Sequence, residues 1–204
     1  MPRVSDAKEK LTEAALRLIW ASGYGATSVD DICTTAGVKK GSFYHFFKSK
    51  CDLEVAALEA HWERNKHLWN DVFSAAVPPL QRLDHYFEAV LQRQSELKEE
   101  CGYVLGCPLC SVASEVSTHE ACIREKAQEI LDRYMKYFES TIRDADAQGL
   151  ITVPDPAAKA QMLFAYVQGI LAQARIANSV EPLRSLRAGA MDLLGVRSGE
   201  ALAA

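Results

Sequence analysis

TSVDDICTTAGVKKGSFYHFFKSKCDL, residues 27–53, is the stretch that decides the fold. Ser28 followed three residues later by an aspartate is typical of a helix start, because hydroxyl and carboxylate can bind backbone amides that the first turn leaves unpaired. Gly37 ends this short helix, and the apolar spacing beyond it predicts another over residues 39–47. Two short helices joined by a tight glycine turn form a helix-turn-helix.

The second short helix has a polar face opposite its phenylalanines. Lysines and hydroxyls bind phosphates and base-edge acceptors, while tyrosine and histidine reach further with one polar tip. This face therefore has the chemistry that reading a DNA groove requires. The outward residues on it are Lys39, Lys40, Ser42, Tyr44 and His45.

Residues 27–53 resemble the DNA-binding domain of TetR-family repressors. In that family a threonine or serine starts the second helix, the turn ends in Gly-Val, the third helix contains a small-aromatic-Tyr-aromatic-Phe run, and a lysine precedes the fourth helix. All of these are present, and the preceding Ser-Gly-Tyr-Gly at residues 22–25 fits as well. The resemblance implies DNA contact by Lys39 and Lys40, and it assigns Lys40, Ser42, Tyr44 and His45 to the major groove. It assigns phosphate contacts to Thr27, Ser28 and Lys50, helped by the positive end of the second helix.

The rest of the chain has apolar residues at three- and four-residue spacing and no sustained alternation, which predicts an all-α protein. The prediction is an N-terminal three-helix helix-turn-helix domain, residues 1–50, joined by a long helix to a C-terminal helical ligand-binding and dimerisation domain, residues 51–204. Helix starts are expected at Ser5, Pro108 and Ser117.

The net charge of −4 is unevenly distributed: residues 1–50 carry +3 and the remainder −7. A basic N-terminal segment followed by an acidic remainder is typical of a protein that contacts phosphate groups only through its N-terminal part. The longest uncharged stretch, Ala160–Ala174, is too short for a membrane span, and the first residues do not resemble a signal peptide. A cytoplasmic protein without membrane contact is expected, with all six cysteines as reduced thiols.

One helix-turn-helix contacts too few bases to select a site, so a homodimer on a palindromic operator is expected. By family resemblance, two last helices, about residues 158–178 and 181–194, pair with their symmetry mates as a four-helix bundle. Alternatively, they close only the monomer's core. Their small residues are Ala165, Gly169, Ala172, Ala174, Ala188 and Ala190.

Cys107 and Cys110 enclose Pro108 at a predicted helix start, where the positive helix end favours thiolate. Three interpretations stay open for these thiols: core side chains, a redox or electrophile switch, or a metal site. The switch interpretation is supported by a resemblance within the family. Gly106 and Cys107, at the start of this helix, resemble the corresponding region of the cysteine-sensing NemR-like group. The metal site would add Cys101 and either His119 or Cys122, but one Cys-x-x-Cys is weak evidence for zinc, and no metal or cofactor is predicted.

The remaining cysteines carry simpler predictions: Cys33 is a small core residue, and Cys51 is incidental. If the effector is instead an organic molecule, its pocket is expected among the fourth to eighth helices, although such aromatics are more often core. The candidate lining residues are Trp62, Trp69, Tyr86, Phe87, Tyr103, Phe138 and Tyr166. The family resemblance implies that the effector swings the fourth helix and so releases the operator.

Two other classes of protein, a thiol oxidoreductase and a transcriptional activator, are alternatives to a repressor. A thiol oxidoreductase using Cys107 and Cys110 would need neighbouring strands, which the pattern does not predict, and no phosphate-binding loop or other catalytic motif is present. No catalytic residue is therefore assigned, and the protein is predicted not to be an enzyme. An activator with the same DNA-binding head remains open, because the protein sequence does not contain the operator's position.

Overall fold

The computed structural model describes residues 3–196, with side chains described from Asp6 onward. Within this range the chain forms nine α-helices and one 3-10 helix and no strand, which confirms the all-α prediction. The helices are α1 Arg3–Ser22, α2 Val29–Ala36, α3 Lys40–Phe46, α4 Lys50–Val72, α5 Pro79–Cys101, α6 Pro108–Val116, α7 Ala121–Ala147, α8 Pro156–Ile176, the 3-10 helix Glu181–Ser185 and α9 Leu186–Leu194.

Three predicted helix starts differ from the observed ones. α1 begins at Arg3, so Ser5 lies inside that helix and does not cap it. Ser117 does not cap α7, because its amide donates to the carbonyl of Ala113 and thereby continues the last turn of α6. The final predicted helix opens as the 3-10 helix, with Pro182 in its first turn. Pro108, in contrast, is the first residue of α6 as predicted.

The chain divides into two compact units. The first unit comprises the chain up to Lys66 together with Pro108–Ile130, and the second comprises His67–Cys107 together with the chain from Leu131. The long helices α4 and α7 each contribute residues to both units. A functional division at residue 50 stays a prediction.

The first unit is organised around apolar side chains from its short and long helices. Phe43 of α3 is fully buried, as are Ile32 of α2 and Leu53 of α4. Burial of a side chain of this size stabilises a fold by about 1.5–3 kcal/mol. The helix-turn-helix is thus held by its own phenylalanine and by its neighbours on both sides.

The second unit has a larger core drawn from α5, α7, α8 and α9, with Phe138, Leu163 and Leu186 among its fully buried side chains. A buried arginine closes one end of this core. Arg82 is 3% exposed, and its guanidinium donates to the Asp144 carboxylate at 2.6 Å and to the carbonyl of Val77 at 2.7 Å. Because its charge is paired and hydrogen-bonded, this arginine is tolerated in the interior.

Across residues 3–196, no helix has both the length and the hydrophobicity that crossing a bilayer would require.

Candidate nucleic-acid interface and sensing segment

Local hydrogen bonds shape the α2-turn-α3 segment. The Ser28 hydroxyl accepts from the Asp31 amide at 3.1 Å, and the Asp31 carboxylate accepts from the Ser28 amide at 2.9 Å, which confirms the predicted capping box. Gly37 follows α2 with φ +63°, a conformation that glycine adopts at little cost. The Val38 amide then donates to the Cys33 carbonyl at 3.0 Å, which redirects the chain into α3.

α3 presents the polar face that the sequence predicted. Tyr44 is 57% exposed, and Lys39, Lys40 and His45 are also exposed, while Ser42 is half-buried. The exposed ammonium of Lys40 lies 2.8 Å from the Asp30 carboxylate of α2. Surface ion pairs of this kind contribute about 0–1 kcal/mol, so a phosphate can compete for the lysine.

Thr27 and Lys50 are placed differently from the other predicted contacts. Thr27 is 3% exposed, and its hydroxyl is turned inward, donating to the Gly23 carbonyl at 2.8 Å. The Lys50 ammonium donates to the carbonyls of Tyr24 and Thr27 at 2.7 and 3.0 Å and lies over the Tyr24 ring. Both side chains therefore shape the loop between α1 and α2.

A carboxylate of α6 holds the same loop, although no sequence pattern indicated this contact. Glu115 accepts from the Tyr24 amide at 2.8 Å and from the Gly25 amide at 2.7 Å. Gly23, with φ +95°, passes so close to this carboxylate that a Cβ at that position would crowd it. The helix that begins directly after Cys107 is thus tied to the loop that leads into α2.

Two further carboxylates of the first unit lie near Tyr24. The Tyr24 hydroxyl donates to Glu120 at 3.2 Å, and burial together with the charges of Glu120 and Glu54 raises the Tyr24 pKa. Glu54 is 1% exposed, and burial raises the pKa of its carboxyl to about 7 despite the attraction of Lys50. One of its oxygens, Oε2, has no hydrogen-bond partner.

Cys51 and Cys122 form a disulfide with Cα atoms 6.8 Å apart. The prediction that all six cysteines are free thiols was therefore wrong for this pair, and Cys51 is not incidental. The sequence did not indicate this disulfide, because the two cysteines are 71 residues apart in the chain and only helix packing brings them together. Cys33 is 5% exposed and belongs to the core, as predicted.

The remaining cysteines, 101, 107 and 110, are not disulfide-bonded. Cys107 is half-buried directly before α6, and Cys110 is half-buried in its first turn. Cys101 is exposed at the end of α5. In the part of the chain that the structure describes, the cysteine cluster with metal-ligand spacing contains none of these three.

Buried polar groups fix the backbone that leads into Cys107. The Gln94 side chain accepts from the amides of Leu105 and Gly106 at 3.1 and 2.8 Å and donates to the Gly106 carbonyl. From α8, the Arg175 guanidinium donates to the Leu105 carbonyl at 3.0 Å. A positive charge therefore lies on the segment directly preceding the Cys107 thiol.

The predicted pocket aromatics do not form one group. Trp69, Tyr86 and Phe138 lie in one cluster with Phe73, Tyr134 and Tyr137, where the Trp69 and Tyr134 rings stack with centroids 4.4 Å apart. Phe87 adjoins this cluster through Tyr86.

The other three aromatics lie elsewhere. Trp62 is buried in the first unit, and Tyr103 is 63% exposed. Tyr166 covers Gly189 so closely that no side chain fits there, and its hydroxyl donates to the Ser185 carbonyl at 3.1 Å.

An apolar stripe of small and aliphatic side chains lies exposed along α8. Its members recur at three- and four-residue spacing, so they share one face of the helix. The stripe consists of Ala158, Met162, Ala165, Gly169, Ala172 and Ile176. Ala174 and Ala190, which were also predicted for the dimer face, are fully buried in the second unit's core instead. Ala188 of α9 is exposed.

Two family profiles of bacterial transcription regulators together match most of the chain. The sequence profile of the bacterial regulatory proteins, tetR family, matches residues 11–57, and that of the tetracyclin repressor-like C-terminal domain matches residues 79–190. The second match alone covers more than half of the chain.

Individual relatives extend this similarity across both units. The chain is 27% identical to the transcriptional regulator AcuR of Cereibacter sphaeroides over 90% of this chain and 83% of that protein. It is 26% identical to the transcriptional repressor NemR of Escherichia coli, over 93% of this chain and 94% of NemR. The crystal structure of reduced E. coli NemR superposes with a TM-score of 0.82 at 25% identity, covering 95% of this chain and 99% of that one.

Proposed function

Because the chain belongs to the tetR family of bacterial regulatory proteins, we propose that it binds a palindromic operator as a homodimer and leaves it when an effector acts on the C-terminal region. The observation that carries the DNA-binding part is the exposed polar face of α3, with Phe43 fully buried on the opposite side. A short helix anchored this way can enter the major groove without exposing its core.

Within this proposal, Lys39, Lys40, Ser42, Tyr44 and His45 contact bases or phosphates, and Ser28 lies at the α2 end that accepts a phosphate. Thr27 and Lys50 act on DNA indirectly, because their side chains hold the α1–α2 loop. The sugar-phosphate backbone then meets α2 in a fixed position.

The apolar stripe of α8 supports the dimer. Contiguous apolar side chains on a protein surface favour association, and small ones let two helices approach closely. The stripe includes Met162, which is 53% exposed, and Ile176, which is 86% exposed. We assign it to the two-fold interface, with the exposed Ala188 side of α9 beside it.

For the effector, the segment ending at Cys107 supports a thiol-modifying compound. Cys107 is the last residue before α6, and α6 carries Glu115, which binds the loop that leads into α2. Addition of an electrophile to the thiol would displace the start of α6 and disturb that link. The NemR relative, solved in a form described as reduced, is consistent with redox chemistry in this group.

A second candidate effector is an apolar or aromatic molecule bound at the Trp69 cluster. Stacked and tilted rings around Trp69 offer flat apolar surfaces to such a ligand. Repression rather than activation is favoured because two of the relatives, NemR and the DhaR protein of a Mycobacterium species, are named repressors. All three named relatives are regulators of transcription and not enzymes.

The proposal is tested by selecting genomic DNA fragments with the purified protein, then measuring binding with the protein reduced, oxidised or alkylated. A palindromic site bound by two chains is expected, with affinity lost on alkylation of the native protein and kept in a Cys107→Ser variant. Cys101→Ser is the matched control, because Cys101 is an exposed thiol outside α6.

The outcomes separate the two parts of the proposal. Failure to select any site would contradict the DNA-binding function. A site whose binding survives alkylation would exclude the thiol effector and transfer the sensing role to the Trp69 cluster.

A further inference from the structure

One side-chain cluster in the first unit is used by neither the DNA face nor the sensing segment. Cys51 lies in the first turn of α4, Cys122 in the first turn of α7, and Glu120 directly before α7. The two sulfurs and a Glu120 carboxylate oxygen all lie within 4.8 Å of one another. Cys51 is buried, and the other two are half-buried.

A buried carboxyl group with an unpaired oxygen lies one helical turn from Cys51. Glu54 follows Cys51 by one helical turn on α4, so the two side chains share a face. Its Oε2 atom has no hydrogen-bond partner, although the residue is only 1% exposed. The nearby ammonium of Lys50 donates to two backbone carbonyls instead. A buried carboxylate oxygen in this condition is costly unless a cation or proton neutralises it.

We infer that Cys51, Cys122 and Glu120 form, in the reduced protein, a binding site for a divalent transition-metal ion of the zinc class. Thiolate ligands select zinc-like ions over magnesium and calcium, and a carboxylate completes a mixed sulfur and oxygen set. The ligand atoms of a tetrahedral zinc site lie roughly 3.3–3.8 Å apart, because each is about 2.0–2.3 Å from the ion. In the disulfide the two sulfurs are bonded and therefore closer than this, so an ion can bind only after reduction lets the cysteine side chains rotate apart.

The fourth position is left for water. The buried Glu54 carboxyl group, one helical turn after Cys51 on α4, is an acidic group near the proposed ion. Two thiolates and the Glu120 carboxylate would supply three negative charges to the proposed ion, which is enough to hold a dication. An ion here would link α4 to α7 and Glu120 and would not use Cys101, Cys107 or Cys110 as ligands.

The disulfide and the metal complex are alternative states of the same two sulfurs. Reduction breaks the S–S bond when a thiol reductant supplies two electrons and two protons, which yields two thiols and the oxidised reductant. Binding of M²⁺ then displaces the two thiol protons, forms two metal–sulfur bonds and needs no further oxidant. A disulfide-bonded chain lacks both thiolates and cannot form the complex.

The test uses the full-length protein with Cys101, Cys107 and Cys110 replaced by serine, so that Cys51, Cys122 and Cys33 remain. The protein is reduced with a phosphine, freed of metal and titrated with Co²⁺, followed by displacement with Zn²⁺. We expect one Co²⁺ per chain, a thiolate-to-cobalt charge-transfer band, loss of this band on Zn²⁺ addition, and a higher melting temperature with Zn²⁺.

Variants identify the ligands. Cys51→Ser and Cys122→Ser should each weaken or abolish the band, while Cys33→Ser, the matched control in the core, should keep it. Glu120→Gln should lower Zn²⁺ affinity at least about tenfold without removing either sulfur, which keeps the test informative if a cysteine variant misfolds.

Absence of saturable Co²⁺ binding by the reduced protein would overturn the inference. So would a band unchanged in Cys51→Ser or Cys122→Ser. Because the readout is metal binding by the protein alone, these results are independent of whether the chain binds an operator.

Discussion

Lys39 and Lys50 stand at the starts of neighbouring helices, yet their side chains have different surroundings. Lys39 precedes α3 and is exposed, whereas Lys50 is half-buried and donates to two loop carbonyls. The same residue type therefore offers a charge to a ligand in one place and fixes the backbone in the other. Residue identity alone does not distinguish these roles.

Tyr44→Ala should weaken operator binding without destabilising the fold. The ring is 57% exposed and leaves no cavity when removed. A lost base or phosphate contact costs about 1–3 kcal/mol, which corresponds to an affinity about 5- to 150-fold lower. Fluorescence anisotropy on the selected operator and thermal melting check this. Tyr103→Ala, which removes another exposed tyrosine, is the control, and equal affinities at physiological salt would remove Tyr44 from the interface.

Lys50→Met should destabilise the protein, because two carbonyls lose a charged hydrogen-bond donor. The expected loss in the free energy of unfolding is about 1–3 kcal/mol, measured by urea denaturation. Lys39→Met, at an exposed position, should change it by no more than about 0.5 kcal/mol. If both variants unfold at the same urea concentration as the native protein, Lys50 does not hold the loop.

Glu54→Gln should remove a pH dependence of stability. Burial raises the carboxyl pKa from 4.5 to about 7, so between these values the folded chain binds more protons than the unfolded chain. The free energy of unfolding therefore falls as the pH rises from 4.5 to about 7, because the buried carboxyl group becomes charged. Above pH 7 the charged Glu54 lowers the free energy of unfolding by about 3 kcal/mol. In metal-free protein, the variant should match the native chain near pH 4.5 and exceed its stability at pH 8.

Urea denaturation at the two pH values checks the Glu54 prediction, with Glu125→Gln on the exposed side of α7 as the control. A stability difference that is the same at both pH values would show that the Glu54 carboxyl does not titrate in this window.

At the scale of elements, α6 is a short helix that lies between Cys107 and a carboxylate bound to the α1–α2 loop. It begins directly after Cys107, and near its other end Glu115 accepts two amides of the α1–α2 loop. In the proposed function, α6 would connect Cys107 to the loop that leads into the helix-turn-helix.

Glu115→Ala should weaken the proposed effect of Cys107 alkylation on operator binding. The loop loses two charge-assisted hydrogen bonds, so we expect the operator affinity to be about fivefold lower. We also expect a smaller ratio between the operator affinities of the unmodified and the alkylated protein. Anisotropy titrations before and after alkylation measure both, with Glu125→Ala as the control. An unchanged ratio would mean that the signal does not pass through Glu115.

At the scale of the whole molecule, Ala165→Glu at the centre of the α8 stripe should convert the proposed dimer to a monomer. A charge buried without a partner opposes association, while the exposed position leaves the monomer's core intact. Sedimentation should show a single chain, and operator affinity should fall at least about 100-fold because two linked contacts become one. Ala89→Glu, the same change on exposed α5 surface, should leave both properties unaltered, and a dimeric Ala165→Glu would exclude the stripe.

The sequence by itself determined the helix-turn-helix, because its signals are short-range. The Ser28 capping box and the left-handed Gly37 depend on residues within one helical turn, and the burial of Phe43 follows from the apolar spacing of α3 and the helices beside it in sequence. Periodicity likewise predicted the all-α class, since apolar spacing reports which face of each helix is buried but not what covers it.

Tertiary structure alone decided which residues meet across the chain. Cys51 meets Cys122, and Glu115 meets the Tyr24 amide 91 residues away, since helix packing and not spacing sets these distances. The small residues of α8 show the same division. Ala165 and Ala174 are equivalent by composition, yet one is exposed and the other is in the core. Only the packing of α8 against its neighbours selects the face that remains open to a partner.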